Sequence, residues 1–326
     1  MASPETERKA AAGGSICRPP TAADRLADRV FRGLTCAFAW LTLLLIGYIV
    51  WRIGGTALPA MKRLGIGFLT GTTWDPNQQK YGILPEIWGT LYSSLLALSI
   101  GGFFGVTIAI FLSEDFLPDR IRIVLKATVE LLAAIPSVVY GLWGIYILIP
   151  MIRPLANWLH AHLGWLPFFS TSLNGPGMFP AALVLSIMIL PTVAAISQDA
   201  LGAIPARTRE AAFGLGATRW ETILRVLLPT ASRGIFSALV LGFGRALGET
   251  MALAMLIGNS NRLTLSLFSP ADTLAALLAL NFPEASNLEV GVLMYAAVIL
   301  LTITLLVNIA GEMIISFSAR PGGGRS

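Results

Sequence analysis

Charged residues are scarce in this sequence, and cysteine and histidine are nearly absent. Asp, Glu, Lys and Arg together make up 13% of the 326 residues, whereas soluble domains carry about 25%. Apolar residues make up 55%, and the mean hydropathy is +0.72, which excludes a chain that lies mostly in water. Two cysteines and two histidines are too few for the usual metal-site patterns. A net charge of +5 is too small to indicate nucleic-acid binding, so the composition points to a polytopic membrane protein.

Six apolar runs are long enough to cross a bilayer, for which a helix needs about 20 residues. They predict an all-α polytopic membrane protein with six transmembrane helices, placed at about 33–53, 87–113, 128–152, 178–198, 234–257 and 290–312. The membrane domain is predicted over 31–318. The segment 1–30 is predicted to be a disordered tail, because its first part is rich in Ala, Gly, Pro and charge, and 319–326 is predicted to be a second tail.

Lysine and arginine are unevenly distributed between the segments that join these spans, and cytoplasmic loops carry the excess in membrane proteins. One side holds Arg8, Lys9, Arg18, Arg25, Arg29, Arg32, Arg120, Arg122, Lys126, Arg207, Arg209, Arg219, Arg225, Arg233, Arg320 and Arg325. The other side holds Arg52, Lys62, Arg63, Lys80, Arg153 and Arg262. The richer side is therefore predicted to be cytoplasmic, and both termini are predicted to lie there.

The connection between spans four and five is predicted to be a cytoplasmic loop over 199–233, with helical character. Pro205 suits a helix start because its missing N–H is not needed in the first turn, and Gly216 interrupts the pattern. Thr218 is followed three residues later by a glutamate, which is capping-box spacing, so we predict a second short helix that ends at Pro229. A soluble partner could bind these helices, or the helices could lie on lipid headgroups. The residues alone leave both interpretations open.

Arg245 and Glu249 interrupt the fifth apolar run. A charge at bilayer depth costs about 2.5–3.5 kcal/mol on insertion scales, so the two residues need each other or a function. A spacing of four residues puts them on one helical face, where they can pair. Such a pair could simply fix helix packing, but an ionisable pair inside a helix bundle indicates a substrate path. Glu130, near one end of the third run, either lines the same path or extends to the interface.

A signature in the 199–233 loop resembles that of a known family. Its fixed positions are Glu210, Ala211 and Ala212, then Gly216, then Val226, Leu228 and Pro229 within V-L-L-P. This resembles the EAA motif of ABC importer permeases, in which the usual residue at position 226 is Ile. The resemblance covers about residues 85–315 and implies the type I ABC importer permease fold. In that family the loop, called the EAA loop below, docks into a groove of the ATP-hydrolysing subunit.

Two further stretches of sequence resemble one group within this family of permeases. GRALGETMA at 244–252 and WDPNQQKYGILPEIWGTL at 74–91 resemble the phosphate-specific importers, and the PstC-type permease rather than the PstA-type. The resemblance implies that Arg245 and Glu249 act as a pair in transport, and we predict that Arg245 contacts the anion while Glu249 competes for the guanidinium. It also implies a bacterial plasma (inner) membrane location. The implied partners are a PstA-type permease, two copies of a PstB-type ATPase, a PstS-type phosphate-binding protein and membrane lipid, with no nucleic acid.

The chain is expected to be a transporter subunit and not an enzyme. It has no G-x-x-x-x-G-K-[ST] phosphate loop, so ATP and Mg²⁺ are expected on the partner ATPase and no cofactor is expected on this chain. Two alternatives stay open. One is a permease of the same superfamily for another oxyanion, such as sulfate or molybdate. The other is a proton-coupled secondary transporter with Glu249 as the proton carrier, which would have no need of an ATPase dock.

Overall fold

The computed structural model describes residues 21–114 and 116–317, and the predicted all-α fold is confirmed there. The helices are α1 (Ala22–Leu64), α2 (Gly67–Thr70), α3 (Leu84–Ser113), α4 (Asp119–Ala134), α5 (Ser137–Trp143), α6 (Ile149–Leu163), α7 (Met178–Gly202), α8 (Ala206–Gly214), α9 (Arg219–Thr222), α10 (Leu228–Leu247), α11 (Met251–Leu256), α12 (Leu274–Asn281) and α13 (Asn287–Phe317). Short 3-10 helices lie at Pro167–Phe169 and Phe282–Glu284. The strands β1 (Trp74–Asp75) and β2 (Lys80–Tyr81) form an antiparallel hairpin.

The chain divides into two compact units, one ending at Arg52 and the other beginning at Ile53. The described part of the first unit is a single helix, because α1 already begins at Ala22. The Thr21 hydroxyl accepts from the Asp24 amide, and the Asp24 carboxylate accepts from the Thr21 amide, which is a reciprocal helix cap. The prediction of a disordered tail over 1–30 is therefore wrong from Ala22 onward. Residues 1–20 and 318–326 lie outside the described residues, as do the tail predictions that fall on them.

Six helical segments within the described residues are long and apolar enough to cross a membrane. They are α1, α3, α5 with α6, α7, α9 with α10, and α13. The third segment runs over Ser137–Leu163 rather than 128–152, because the chain leaves the helical conformation at Ile135 and Pro136. A residue before proline avoids the helical region. Glu130 therefore lies on the separate helix α4, where it is exposed.

Two spanning segments pass through a π-turn and then a proline without ending. Five-residue π-turns, Gly144–Leu148 and Ile223–Leu227, connect α5 to α6 and α9 to α10. Each is followed two residues later by a proline, Pro150 or Pro229. Proline lacks an N–H and clashes with the carbonyl four residues before it, and a π-turn loosens the preceding helix. The prediction that Pro229 ends the second loop helix is therefore wrong, since this helix continues as the fifth span.

Helix α7 is the most buried of the six spanning segments, and glycines on α3 bring the two helices together. A Cβ on Gly101 would meet the Ser186 carbonyl oxygen at 2.6 Å, and a Cβ on Gly105 would meet Val193 at 2.9 Å. Small residues at this spacing allow close approach of membrane helices. The core beside this contact includes Met188 and other apolar side chains from α5, α7 and α11. Helix α7 therefore forms the centre of the second unit.

Candidate functional site

The fifth span is broken where the sequence predicts a continuous helix over 234–257. Helix α10 ends at Leu247, and the amides of Gly248 and Glu249 donate to the carbonyls of Arg245 and Ala246 at 3.2 and 3.3 Å. The short helix α11 then begins at Met251. Non-helical backbone at membrane depth is tolerated where it is buried in protein or lines an aqueous cavity. The break therefore marks this part of the span as a candidate site.

The predicted Arg245–Glu249 ion pair is absent from the part of the chain that the structure describes. Because α10 ends between the two residues, they do not lie on one helical face. Instead, Arg245 Nη1 donates to the Thr192 hydroxyl on α7 at 3.1 Å. The Glu249 carboxylate accepts from the Ala252 amide at 3.4 Å, at the first turn of α11. Each charged group is thus stabilised by a partner that spacing in the sequence did not indicate.

The bond to Thr192 places the Arg245 guanidinium beside the middle of α7. Thr192 lies near the middle of α7 (Met178–Gly202), a helix of 25 residues, and Arg245 is exposed on the surface of the chain. A guanidinium offers five N–H donors in a planar fork, and one of them is used on Thr192. The arrangement can bind an oxyanion with the remaining donors. Glu130 is not brought into this span, because it lies on α4.

The EAA loop is built as two short helices with a turn between them, as the sequence predicts. Helix α8 begins directly after Pro205. Gly216 has a φ of +85°, a conformation that favours glycine over other residues. Thr218 caps α9, since its hydroxyl accepts from the Glu221 amide and the Glu221 carboxylate accepts from the Thr218 amide. The predicted capping box is confirmed.

The signature residues of the loop occupy different environments. Glu210, Ala211 and Gly216 are exposed, whereas Ala212 is buried. The remaining three lie further along, with Val226 in the π-turn and Leu228 and Pro229 at the start of α10. The loop also presents apolar side chains to its surroundings: Leu215 is 90% exposed and Phe213 is 45% exposed. An exposed apolar cluster next to polar residues is typical of a protein-binding surface.

A partly buried ion pair between α8 and the residue after α3 was not predicted. Arg209 Nε donates to the Glu114 carboxylate at 3.1 Å, and the side chains are 22% and 15% exposed. The two residues are 95 positions apart in the chain, so no local pattern connects them. Phe116 lines a cavity together with Glu114 and Arg209, and its ring packs against that of Trp220 with centroids 5.4 Å apart. This cluster joins the end of α3 to the EAA loop.

Two further carboxylates are buried where α3 begins, and sequence patterns did not single them out. Glu86 is 0% exposed and Asp272 is 6% exposed. Neither Glu86 oxygen has a hydrogen-bond partner among the described residues, whereas Asp272 Oδ1 accepts from the Thr273 amide at 2.7 Å. Burial raises the pKa of Asp272 to about 7, against the opposing effect of that hydrogen bond. The segment before α12 therefore contains a carboxyl group that titrates near neutral pH.

The two histidines bond to backbone rather than to each other. His160 Nδ1 lies 2.7 Å from the Phe169 carbonyl, and His162 Nδ1 lies 2.9 Å from the Trp158 carbonyl. Across residues 21–114 and 116–317, no three His, Cys, Asp or Glu side chains are grouped so that they could hold a metal ion.

Comparison with known proteins identifies the architecture. Residues 105–316 match the family described as the binding-protein-dependent transport system inner membrane component. The chain is 39% identical to the phosphate transport system permease protein PstC of Haemophilus influenzae over 89% of this chain and 93% of that protein. It is 38% identical to the PstC protein of Mesorhizobium japonicum over 91% and 93% of the two chains.

A solved structure shares the fold at low sequence identity. A chain of the bacterial alginate ABC transporter, in complex with its alginate pentasaccharide-bound periplasmic protein, superposes with a TM-score of 0.59 at 18% identity, over 89% of this chain and 96% of that chain. The predicted type I ABC importer permease fold is confirmed. With its six apolar helices and its family match, this chain is a multi-pass membrane protein that belongs to the family of binding-protein-dependent transport system inner membrane components.

Proposed function

We propose that this chain is the permease subunit of an ATP-driven importer of inorganic phosphate, which it conducts across the bacterial inner membrane. The observation that carries the proposal is the Arg245 guanidinium, which Thr192 holds beside the middle of α7 and next to a helix break. The PstC relatives, which are phosphate transport permeases by name, supply the substrate class. The chain itself carries out no covalent chemistry.

Arginine suits a transient phosphate site. Its guanidinium is always charged, and its planar fork matches two oxygens of an oxyanion. A lone arginine in a low-dielectric span would bind phosphate strongly and release it slowly. Thr192 occupies one donor, and the Glu249 carboxylate lies just beyond the end of the same helix. In this proposal Glu249 weakens phosphate binding through its charge and competes for the guanidinium in another state of the transport cycle.

The EAA loop would be the docking surface for the ATPase. Its exposed apolar residues Leu215 and Phe213 lie near the exposed Glu210, a combination that suits a groove with an apolar floor and a polar rim. We assign ATP and Mg²⁺ to two copies of that PstB-type ATPase. The remaining partners in this assembly are a PstA-type second permease and a PstS-type phosphate-binding protein.

The transport cycle would be alternating access. The loaded binding protein docks on the outer face, at loops within 54–86 and 258–289, while both termini lie in the cytoplasm. ATP binding closes the ATPases, moves the EAA loop and opens the path outward, and hydrolysis returns it inward. Arg245 then meets phosphate from one side of the membrane at a time. The runner-up substrates are sulfate and molybdate, and proton-coupled transport is the less favoured alternative because it leaves the EAA loop without a role.

The test is ATP-dependent uptake by the reconstituted transporter. The chain, co-expressed with its permease and ATPase partners, is placed in vesicles with its binding protein and supplied with labelled phosphate, sulfate or molybdate. We expect uptake of phosphate alone, and its loss in Arg245→Gln with the complex still assembled. The matched control is Arg120→Gln, which removes an exposed arginine of α4 and should transport normally. Uptake of another oxyanion would overturn the substrate, and uptake driven by a proton gradient without the ATPase would overturn the mechanism.

A further inference from the structure

Arg209 lies where three parts of the chain meet. It belongs to α8, and its guanidinium uses three nitrogens on groups from elsewhere in the structure. Nη2 donates to the Leu201 carbonyl at 3.0 Å and Nη1 donates to the Ile204 carbonyl at 3.1 Å. Nε donates to Glu114, which directly follows the end of α3. The Arg209 side chain therefore joins α8 to the ends of α7 and α3.

The contact is largely shielded from water. Arg209 and Glu114 are 22% and 15% exposed, whereas the pair of Arg122 with Asp119 on α4 is 36% and 81% exposed. A well-exposed pair contributes little, but removing one partner of a shielded pair leaves an uncompensated charge. The carbonyls of Leu201, in the last turn of α7, and of Ile204, two residues beyond its end, also fix the plane of the guanidinium. The geometry thus resists displacement of α8 relative to α7 and α3.

An apolar cluster lies at the same junction and connects it to the spans. Leu201, Ile204, Ile223 and Leu227 pack there with Ala109 of α3. Helix α7 also carries Thr192, which holds Arg245. If a displacement of the EAA loop moved α7, Thr192 would move with it, and the position of Arg245 at the candidate phosphate site would change. Helix α7 is the common element of both contacts.

We propose that Arg209 is a positioning residue that transmits movement of the EAA loop to α7 and α3, and so to Arg245. The inference rests on the proposed function, because it needs an ATPase that moves the loop. Arg209 touches neither substrate nor nucleotide. Without it the ATPase would still bind the exposed face of the loop, but its movement would reach the spans only through the softer apolar contacts.

The experiment measures phosphate transported per ATP hydrolysed in the reconstituted complex, with labelled inorganic phosphate as the probe. In Arg209→Ala we expect the ATPase to remain bound and active, while phosphate per ATP falls about tenfold, within the range by which mutations alter coupling between sites. The matched control is Arg120→Ala, which removes an exposed arginine of α4, outside the EAA loop, and should leave the ratio unchanged. A merely structural role would lower assembly and leave this ratio unchanged in the complexes that form.

Arg209→Lys keeps the charge but cannot reach Glu114 and both carbonyls with a planar fork, so we expect an intermediate ratio. Arg209→Lys also provides the test if the complex with Arg209→Ala does not assemble. A wild-type ratio in an assembled Arg209 variant would overturn the inference while leaving the proposed function intact. Failure of the ATPase to bind the wild-type chain would overturn the proposed function, and with it this inference.

Discussion

Arg245 of α10 donates to the hydroxyl of Thr192, which lies halfway along α7, over 3.1 Å. The bond joins the charged group of the fifth span to the most buried helix of the membrane domain. It also fixes which edge of the guanidinium is occupied and which edges are directed elsewhere. The orientation of the arginine therefore depends on a neutral residue in a different helix.

Replacing Thr192 by Val should impair transport without removing any charge. The two side chains have similar shapes, but valine cannot accept the Arg245 hydrogen bond, and a hydrogen bond to a charged group contributes about 1.5–3 kcal/mol. We expect the uptake rate at limiting phosphate to fall by about tenfold or more, since each 1.4 kcal/mol is a factor of ten. Thr192→Ser keeps the hydroxyl and should stay near wild type. Equal loss in both variants would mean that packing, not the hydrogen bond, matters at this position.

Two substitutions of Glu249 separate its charge from its role as a helix cap. Glu249→Gln keeps an oxygen that can accept from the Ala252 amide but removes the charge, whereas Glu249→Ala removes both. If the charge promotes phosphate release, both variants should slow turnover under saturating phosphate. Turnover at the wild-type rate in Glu249→Gln, with loss only in Glu249→Ala, would show that capping of α11 is the whole role.

Gly216 is predicted to be less tolerant of a side chain than Gly214, although neither would meet another atom within 4 Å. Gly216 has a φ of +85°, and a non-glycine residue in such a conformation costs about 1–2 kcal/mol. Gly214 is the last residue of α8, where Ala is favoured over Gly. We expect Gly216→Ala to weaken ATPase binding to the complex and Gly214→Ala to leave it unchanged. Equal affinities, measured by titrating detached ATPase, would contradict the docking role of this turn.

Asp272 should make the stability of the transporter depend on pH. Burial raises its pKa from 3.8 to about 7, so the folded state binds more protons than the unfolded state between these values. Stability from this group is thus fully present below about pH 4 and is lost as pH rises to about 7, beyond which it levels off. Asp272→Asn should flatten this part of the thermal unfolding profile in detergent. Glu284→Gln removes an exposed carboxylate and is the control; an unchanged profile in Asp272→Asn would refute the assignment.

The sequence predicted what depends on local pattern and on long apolar runs. The six spans, the start of α8 after Pro205 and the Thr218 capping box are each determined by neighbours within a few residues or by hydropathy. Arg245 was singled out for the same reason, since one arginine in an apolar run stands out, and its role in the path stays a prediction. These features can be predicted without knowing which helices are in contact.

The relationships that were missed are contacts between distant residues. The Thr192 partner of Arg245 and the Glu114 partner of Arg209 lie 53 and 95 positions away, and many polar residues were equally plausible. The predicted Arg245–Glu249 pair assumed an unbroken helix, which the break after Leu247 removes. Likewise, Pro229 was read as a helix end because the π-turn that accommodates it has no clear signal in the sequence.

The π-turn at Ile223–Leu227 determines the direction in which the side chains of α10 point around the helix axis. Successive residues of an α-helix are about 100° apart around the axis, so one residue more or fewer in this turn would rotate all of α10 by that angle. Arg245 would then point away from Thr192 although every residue around it was unchanged. The number of residues in this five-residue π-turn therefore sets the orientation of Arg245 around the axis of α10.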